Sequence, residues 1–470
     1  MSVSELINLT ARDMLAAYAS KDLSPVEVTE AMLSRIERVN PIINAFHYVQ
    51  ADTALDAARA SESRWANGKP QGLLDGVPTA IKDVLMMKGL PIYRGSAANN
   101  AEELGPAESN APCVERLIEH GAIILGKTTM CDHGMLASGY SSQFGTTRNP
   151  WNTSRNCGGS SSGSAAAVAA GIGPVTIGTD IVGSIRNPAS FCGLTGHKPS
   201  YGRVPCYPQT SPSVCAGPIA RDVTDAALLL NVLCLPDARD VSALKYEDVD
   251  YTAKLDGSLR GLRIGVLGGL GFGAPLQNAV RERFSAAVDV FAAAGAELVE
   301  LTPPFDANDA DCAERFYQVR SLAELEQLPP GIQARSPVIN AWTEAARSYT
   351  AAMHYEDYLG TQALRQRLLE VINGFDFLIL PTMPVLPYAA DNPGLDDGDT
   401  FAPWSNTFPF NLTQQPAISV PCGWVENNLP VGLQIVGQRY DDVGVLCAAR
   451  SFEIASGLPI RPIPEELDLS

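Results

Sequence analysis

Apolar residues recur along this chain with two different periods, which predicts a protein built from both helices and strands. Between Ser24 and Asn40 the apolar side chains fall at helical spacing, and Ser24 followed by Pro25 is typical of a helix start. Further along, short apolar runs bounded by Gly and Pro predict strands. These runs include GLRIGVLG, FDFLILPT, PAISVPCGW and PVGLQIVG.

Predicted strands and helices alternate over most of the chain, and this order indicates the fold class. Alternation of this kind is typical of an α/β fold, in which helices cover both faces of a sheet. Residues 1 to about 66 are expected to be helical, and no linker or low-complexity segment marks a boundary. We therefore predict one large domain, 1–470, with a central mixed β-sheet covered by helices on both faces.

Composition narrows the classes of function. Apolar residues make up 46% of the chain and charged residues 18%, which fits a compact body with a large interior. The net charge of −18 would repel phosphate backbones and anionic membranes, so the chain by itself is expected to bind neither. No apolar run is long enough to cross a bilayer, and the first residues lack a secretory pattern, which predicts a cytoplasmic protein.

The cysteines and histidines do not predict a metal site. The ten cysteines contain no C-x-x-C pair, and the five histidines are never in H-E-x-x-H spacing. Cys131, Asp132 and His133 are adjacent, so their side chains cannot easily converge on one ion. The string GGLGFG at 268–273 is expected to be a loop rather than a dinucleotide site. We expect no metal and no cofactor.

The polar stretch 141–163 is rich in Gly and Ser, and it is too long for a simple turn, which is typical of a functional loop. Its end, GGSSSGS at 158–164, is no P-loop, because no Gly-Lys-Ser/Thr follows. It does contain G-x-S-x-G around Ser161, the nucleophile-elbow pattern of α/β hydrolases. An elbow should follow a strand directly, and NPWNTSRNC is not strand-like, so this interpretation is disfavoured.

Two further strings carry candidate chemistry. GTDIVGSIR at 178–186 predicts a strand end followed by a turn that presents Ser184 among free backbone N–H groups, as an oxyanion hole requires. Lys82 follows apolar residues in GVPTAIKD, which favours its partial burial. Burial lowers the pKa of a lysine and makes the neutral amine available as a base.

Taken together, these strings resemble the amidase signature family. The core match is GGSSSGSAAAVAAG followed by GTDIVGSIRNPASFCGLTGHKPSYGRV, with GVPTAIKD, FGTTRNPW and LPVGLQIVG in the flanks. Several motifs occur in the right order and spacing, so the resemblance is specific. It covers about residues 5–445, and its signature core spans about 75–225.

The resemblance implies roles for residues of this chain. Ser184 matches the nucleophile, Lys82 matches the base, and Ser160 matches the bridging serine that follows a cis peptide bond in the family. The oxyanion-hole N–H groups match the backbone of Ile181, Val182, Gly183 and Ser184. The segment around Gly134 matches a substrate contact.

Four positions depart from the family pattern: Cys157, Ser162, Val182 and His197. Val182 matters most, because the family usually has Gly two residues before the nucleophile. A valine would be strained if this position required positive φ. Its side chain could also narrow the acyl pocket.

The implied activity is hydrolysis of a small amide, anilide, carbamate or ester through a seryl acyl-enzyme. The first alternative is the glutamine-hydrolysing amidase subunit of a tRNA-dependent amidotransferase, which shares these motifs. The second is a binding protein whose activity is weakened at Val182. The expected partner is the small-molecule substrate, and a homodimer is plausible.

Overall fold

The computed structural model describes residues 3–99, 104–209, 211, 213–395 and 398–459. No helix within these ranges is long and apolar enough to span a membrane. The strands, in chain order, are β1 (Phe46–Val49), β2 (Pro78–Lys82), β3 (Ile123–Thr128), β4 (Arg148–Asn149), β5 (Asn152–Asn156), β6 (Val175–Asp180), β7 (Thr195–Lys198), β8 (Cys215–Ala220), β9 (Arg263–Val266), β10 (Glu297–Glu300), β11 (Phe377–Pro381), β12 (Ala417–Trp424) and β13 (Pro430–Gly437).

Eight of these strands form one mixed sheet in the order β10-β9-β11-β13-β12-β7-β8-β6. The pairs β10–β9 and β9–β11 are parallel, and the other neighbours pair antiparallel. The prediction of an α/β fold with a mixed central sheet is therefore confirmed.

Helices pack on both faces of this sheet, as the alternation along β11 shows. Phe377 and Ile379 enter one apolar cluster, and Leu378 and Leu380 enter another on the opposite face. The helices are Val3–Ile7, Ala11–Ser20, Pro25–Ile43, Ala51–Ala66, Pro112–Glu119, Ser162–Ala169, Arg186–Cys192, Val223–Leu233, Asn278–Ala293, Asp309–Leu325, Pro330–Gln333, Pro337–Thr343, Ala351–Ile372, Pro409–Leu412 and Asp442–Ser456.

The N-terminal region differs in one respect from the all-helical expectation for residues 1–66. The helix Pro25–Ile43 begins as predicted, because the Ser24 side chain accepts from a backbone N–H and Glu27 closes the capping box. However, β1 follows this helix and pairs antiparallel with β3. The four-residue strand FHYV is too short for its period to be read from the sequence.

A smaller sheet, β1-β3-β2, lies beside the large one, and threonine hydroxyls join the two. Thr79 Oγ1 on β2 donates to the Val175 carbonyl on β6 at 3.0 Å, and Thr176 Oγ1 donates to the Ala80 carbonyl at 2.8 Å. These bonds hold β2 next to β6. The last residue of β2 therefore lies close to the last residues of β6.

Candidate active site

Lys82, the last residue of β2, is fully buried, and its amine is surrounded by hydroxyl groups. Its Nζ lies 2.8 Å from Ser160 Oγ, 2.9 Å from Ser161 Oγ and 2.8 Å from Thr179 Oγ1. Thr179 is on β6, so the contact between the two sheets builds this cluster. The structure thus brings together two of the three residues predicted for the chemistry, Lys82 and Ser160.

Burial changes the protonation of Lys82. Removal from water lowers the pKa of the amine to about 7, although Cys131, Asp180 and Asp83 act in the opposite direction. None of these three groups forms a hydrogen bond with Nζ. A large fraction of Lys82 is therefore neutral at physiological pH and able to accept a proton.

The Gly-Ser loop places Ser160 against Lys82 through a cis peptide bond between Gly159 and Ser160. Helix Ser162–Ala169 begins two residues later, and all of its side chains are buried. A Cβ at Gly159 would collide with the backbone carbonyls of Leu136 and Ser138, so only glycine fits there. The cis bond expected from the family resemblance is present.

Ser184 lies in the turn between β6 and the helix Arg186–Cys192. Its Oγ is buried and has no hydrogen-bond partner in the part of the chain that the structure describes. Its carbonyl accepts from the Ser161 N–H at 3.3 Å, which ties this turn to the Gly-Ser loop. Gly183, just before it, has a φ of +133°, and a Cβ there would collide with Thr407.

A buried ion pair holds the Ser184 turn. Asp180 accepts from Arg186 Nε at 3.0 Å and from Arg186 Nη2 at 2.9 Å, and Asn411 donates to it at 2.9 Å. Burial acts to raise the pKa of Asp180, but Arg186 together with its other partners lowers it to about 2. The carboxylate is therefore charged at all physiological pH values.

This carboxylate also takes up one of the expected oxyanion donors. The Gly183 N–H donates to Asp180 Oδ1 at 2.7 Å. By contrast, the N–H groups of Ile181, Val182 and Ser184 donate to no acceptor within the described ranges. Of the four N–H groups that the resemblance implies, these three remain available to an oxyanion.

The question that the sequence raises about Val182 has a structural answer. Val182 is not among the residues with positive φ, so its β-branched side chain is unstrained. The side chain is fully buried in the apolar cluster that contains Trp404 and Phe408, and it does not line the cavity beside Ser184. Its carbonyl accepts from Thr407 Oγ1 at 2.6 Å. Val182 therefore helps to anchor the turn.

Ser160 and Ser184 line the same cavity, which together with its mouth measures about 1000 Å³. Gly134 lies on the same wall with a φ of +73°, and a Cβ there would sit 3.5 Å from Ser160 Oγ. Most other lining residues are apolar, namely Val84, Leu85, Met86, Ile92, Met130, Met135, Ile181, Pro205 and Val214. An apolar cavity with a few convergent polar groups is typical of a small-molecule site.

The other motifs lie apart from this chemistry. Ser161 does not line the cavity and contacts Lys82 instead. The string at 268–273 is a loop after β9, as predicted. Among the described residues, no group of three or more His, Cys, Asp or Glu side chains could hold a metal ion. His197 pairs with Asp442 at 3.4 Å on β7, and Cys157 and Ser162 are buried.

The sequence interpretation missed three residues of the site: Thr179, and the pair Asp180 and Arg186. All three belong to the string GTDIVGSIR that points to Ser184. An acid and a base flanking a Gly-containing turn were the available signal. Their pairing across the turn is nevertheless not evident without the fold.

Comparisons with known proteins agree with this site. The family described as Amidase matches residues 27–446. The chain is 35% identical over 484 residues to the amidase-type subunit of the glutamyl-tRNA(Gln) amidotransferase of Chloroflexus aurantiacus, covering 96% of this chain and 97% of that protein.

Two solved structures are similar over nearly the whole chain. A bacterial aryl acylamidase of the amidase signature enzymes superposes with a TM-score of 0.87 at 30% identity, covering 96% of this chain and 99% of the other. The corresponding glutamyl-tRNA(Gln) amidotransferase subunit of Thermotoga maritima superposes with a TM-score of 0.76 at 25% identity, covering 99% and 98%.

Proposed function

Since this chain belongs to the amidase family, we propose that it is a hydrolase cleaving the C–N bond of small amides, anilides or carbamates, and of esters, through an acyl-enzyme on Ser184. One observation carries the proposal: the buried amine of Lys82 lies 2.8 Å from Ser160 Oγ, beside the cavity that Ser160 and Ser184 line. An activated serine at the wall of an apolar cavity suits acyl transfer.

In this mechanism, neutral Lys82 takes a proton from Ser160, which takes one from Ser184. Ser184 Oγ, whose lone pairs are free of protein partners within the described ranges, attacks the substrate carbonyl carbon. The N–H groups of Ile181, Val182 and Ser184 stabilise the oxyanion. Ser160 then passes its proton to the leaving amine, and water releases the acyl group by the reverse sequence of transfers.

The shape and chemistry of the cavity favour a small apolar amide over glutamine. Glutamine carries an ammonium and a carboxylate, so a glutaminase needs an acid and a base at its pocket. Among the described residues that line this cavity, the only acid is Asp180, and Arg186 already neutralises it. The higher TM-score of the aryl acylamidase supports the same choice. We propose that the chain acts without partner subunits.

The weakened binding protein finds no support at Val182. That hypothesis needed a strained valine or one that fills the acyl pocket, and Val182 has neither property. Lys82, Ser160 and Ser184 are all placed around one cavity mouth. We therefore propose an active enzyme.

The test uses the purified chain alone and a chromogenic anilide. We expect turnover in the parent and a loss of at least about a thousandfold in Ser184→Ala, because the nucleophile is removed. Ser162→Ala is the matched control, since it removes a buried hydroxyl from the neighbouring loop that contacts neither Lys82 nor the cavity.

A fluorophosphonate should label Ser184 and not Ser161, as read by peptide mass. A parallel assay measures ammonia released from glutamine. Full anilide turnover in Ser184→Ala would contradict the proposed nucleophile. Glutamine hydrolysis far above anilide hydrolysis would favour the role in an amidotransferase instead.

A further inference from the structure

One end of the cavity is cationic. Arg94 and Arg320 both line it, and they grip a single carboxylate between them. Arg94 Nη2 lies 2.9 Å from Glu324 Oε2, and Arg320 Nη2 lies 2.7 Å from Glu324 Oε1. His133 is on the same wall, one residue before Gly134, whose backbone adjoins Ser160. This cationic end is therefore close to the reacting groups.

The charges of the cationic end do not cancel. Two guanidinium groups face one carboxylate, and arginine stays protonated in proteins. His133 adds no charge, because burial, together with Arg94 and Arg320, lowers its pKa to about 3. The one acid that lines the cavity among the described residues, Asp180, is already paired with Arg186. One positive charge is left without a counter-charge.

Hydrogen-bond donors are also in excess there. The Nε atoms of Arg94 and Arg320 are buried and have no acceptor among the residues that the structure describes. Arg320 Nη1 contacts only the Met135 sulfur, at 3.6 Å, which is a weak acceptor. A single carboxylate cannot satisfy two guanidinium groups, so the site has donors left for a further acceptor.

The backbone of the cationic end is unusual as well. Arg94 has a φ of +51° and His133 a φ of +49°, a conformation that costs free energy for residues other than glycine. The His133 N–H donates to the Arg94 carbonyl at 2.8 Å and locks the two segments together. Residues held in this way are found most often at ligand sites.

We propose that Arg94 and Arg320 bind a carboxylate of the substrate, so that the preferred amides carry one negative charge in addition to the scissile bond. This inference rests on the proposed amidase function and specifies its substrate class. Guanidinium groups bind carboxylates through paired, charge-assisted hydrogen bonds. No unpaired acid among the described lining residues would hold an ammonium, so the site selects mono-anionic amides over zwitterionic ones such as free glutamine.

The test compares substrates that differ only in charge. The acyl-side pair is the mono-anilide of succinic acid and its carboxamide analogue, and both release aniline. The amine-side pair is 4-acetamidobenzoate and 4-acetamidobenzamide, which place the carboxylate on the leaving group. We expect kcat/KM for the carboxylate to exceed that for the carboxamide at least about tenfold in one pair.

Variants assign that preference to residues. In Arg320→Met and in Arg94→Met the ratio should fall toward one, while kcat/KM for the carboxamide stays within about threefold of the parent. Arg320→Lys should keep part of the preference, and Glu324→Gln should increase it by removing the counter-charge. Arg59→Met is the control, since this arginine is exposed and paired only with Asp56.

Each result is decisive. A parent ratio near one in both pairs, or a ratio unchanged in both methionine variants, would overturn the carboxylate site. An equal fall for both members of a pair would assign the arginines a purely structural role and also overturn it. Failure of the amidase function is separate, because then no aniline or aminobenzoyl product would appear from any member in a Ser184-dependent way.

Discussion

At the scale of single residues, the neighbours of Lys82 explain how a buried amine can act as a base. Its Nζ is held by three hydroxyl groups and by no carboxylate. A hydroxyl can accept from an ammonium or donate to a neutral amine, so it suits both protonation states. A hydrogen-bonded carboxylate would keep the proton on the lysine. The hydroxyl shell therefore leaves burial free to lower the pKa to about 7.

The first prediction follows from that pKa. We expect kcat/KM for a non-ionising anilide to rise about tenfold per pH unit below the pKa and to level off above it, because only neutral Lys82 accepts a proton. The profile should bend near the pKa of about 7. In Lys82→Arg the side chain stays protonated, so activity should fall at least about a hundredfold at every pH. A flat profile through neutral pH in the parent would contradict this role.

Sequence alone could identify Lys82, Ser160 and Ser184 as candidates, because each lies in a motif that can be compared as a string. It could not identify Thr179 as a partner of Lys82, since the contact arises only where β2 lies beside β6. The pairing of Arg94 with Glu324 was equally inaccessible. Those residues are far apart in the chain, and each is an ordinary charged residue in its local context.

At the scale of elements, the turn between β6 and the helix Arg186–Cys192 works as one unit. Asp180 ends the strand, Arg186 begins the helix, and their ion pair closes the turn around Ser184. The Asp180 carboxylate also accepts from the N–H groups of Gly183 and Ile185, at 2.7 Å and 3.1 Å. The position of Ser184 therefore depends on one buried charge pair.

The second prediction removes one member of that pair. In Arg186→Met the carboxylate of Asp180 is left buried and uncompensated, so the free energy of unfolding should fall by about 3–5 kcal/mol in urea titrations. Asp180→Asn combined with Arg186→Met should restore part of the loss, because no charge is then buried. Arg148→Met is the control, since its pair with Asp391 is exposed and should contribute about 0–1 kcal/mol.

The pH dependence of the parent supplies a second readout for this pair. The folded-state pKa of Asp180 is lowered to about 2 from an ordinary value of 3.8, so its contribution to stability is complete above the ordinary value. That contribution is lost as the pH falls toward the folded-state pKa. Without Arg186 the pKa should rise, and acid unfolding should begin at higher pH than in the parent. An unchanged acid transition would contradict the role of the pair.

The strands that the sequence predicted best are those with the strongest apolar runs. FDFLILPT and PVGLQIVG became β11 and β13, which pair antiparallel in the centre of the large sheet. The order of the strands could not be derived, because it depends on pairings between segments far apart in the chain. The hairpin of β4 and β5 was also missed, since NPWNTSRN has a polar composition typical of a loop.

At the scale of the whole molecule, the cysteines report how completely the interior is closed. All ten are free thiols, as the absence of C-x-x-C spacing suggested, and seven of them are buried. Burial raises the pKa of Cys113 and Cys131 to about 12, which keeps these thiols protonated. Because the thiolate is the reactive form, these cysteines should be inert in the folded protein.

The third prediction uses this contrast to test the fold and the cavity together. Iodoacetamide at about pH 8 should label Cys312 and Cys447 first in the native protein, because they are partly exposed, and should label all ten only in urea. Cys206 should react more slowly, since burial raises its pKa well above the ordinary value. Cys206 also lines the cavity that holds Ser184. A phosphonyl adduct on Ser184 should therefore slow labelling of Cys206 and leave Cys312 unchanged, as measured by peptide mass. Rapid labelling of Cys131 in the native protein would contradict the closed interior.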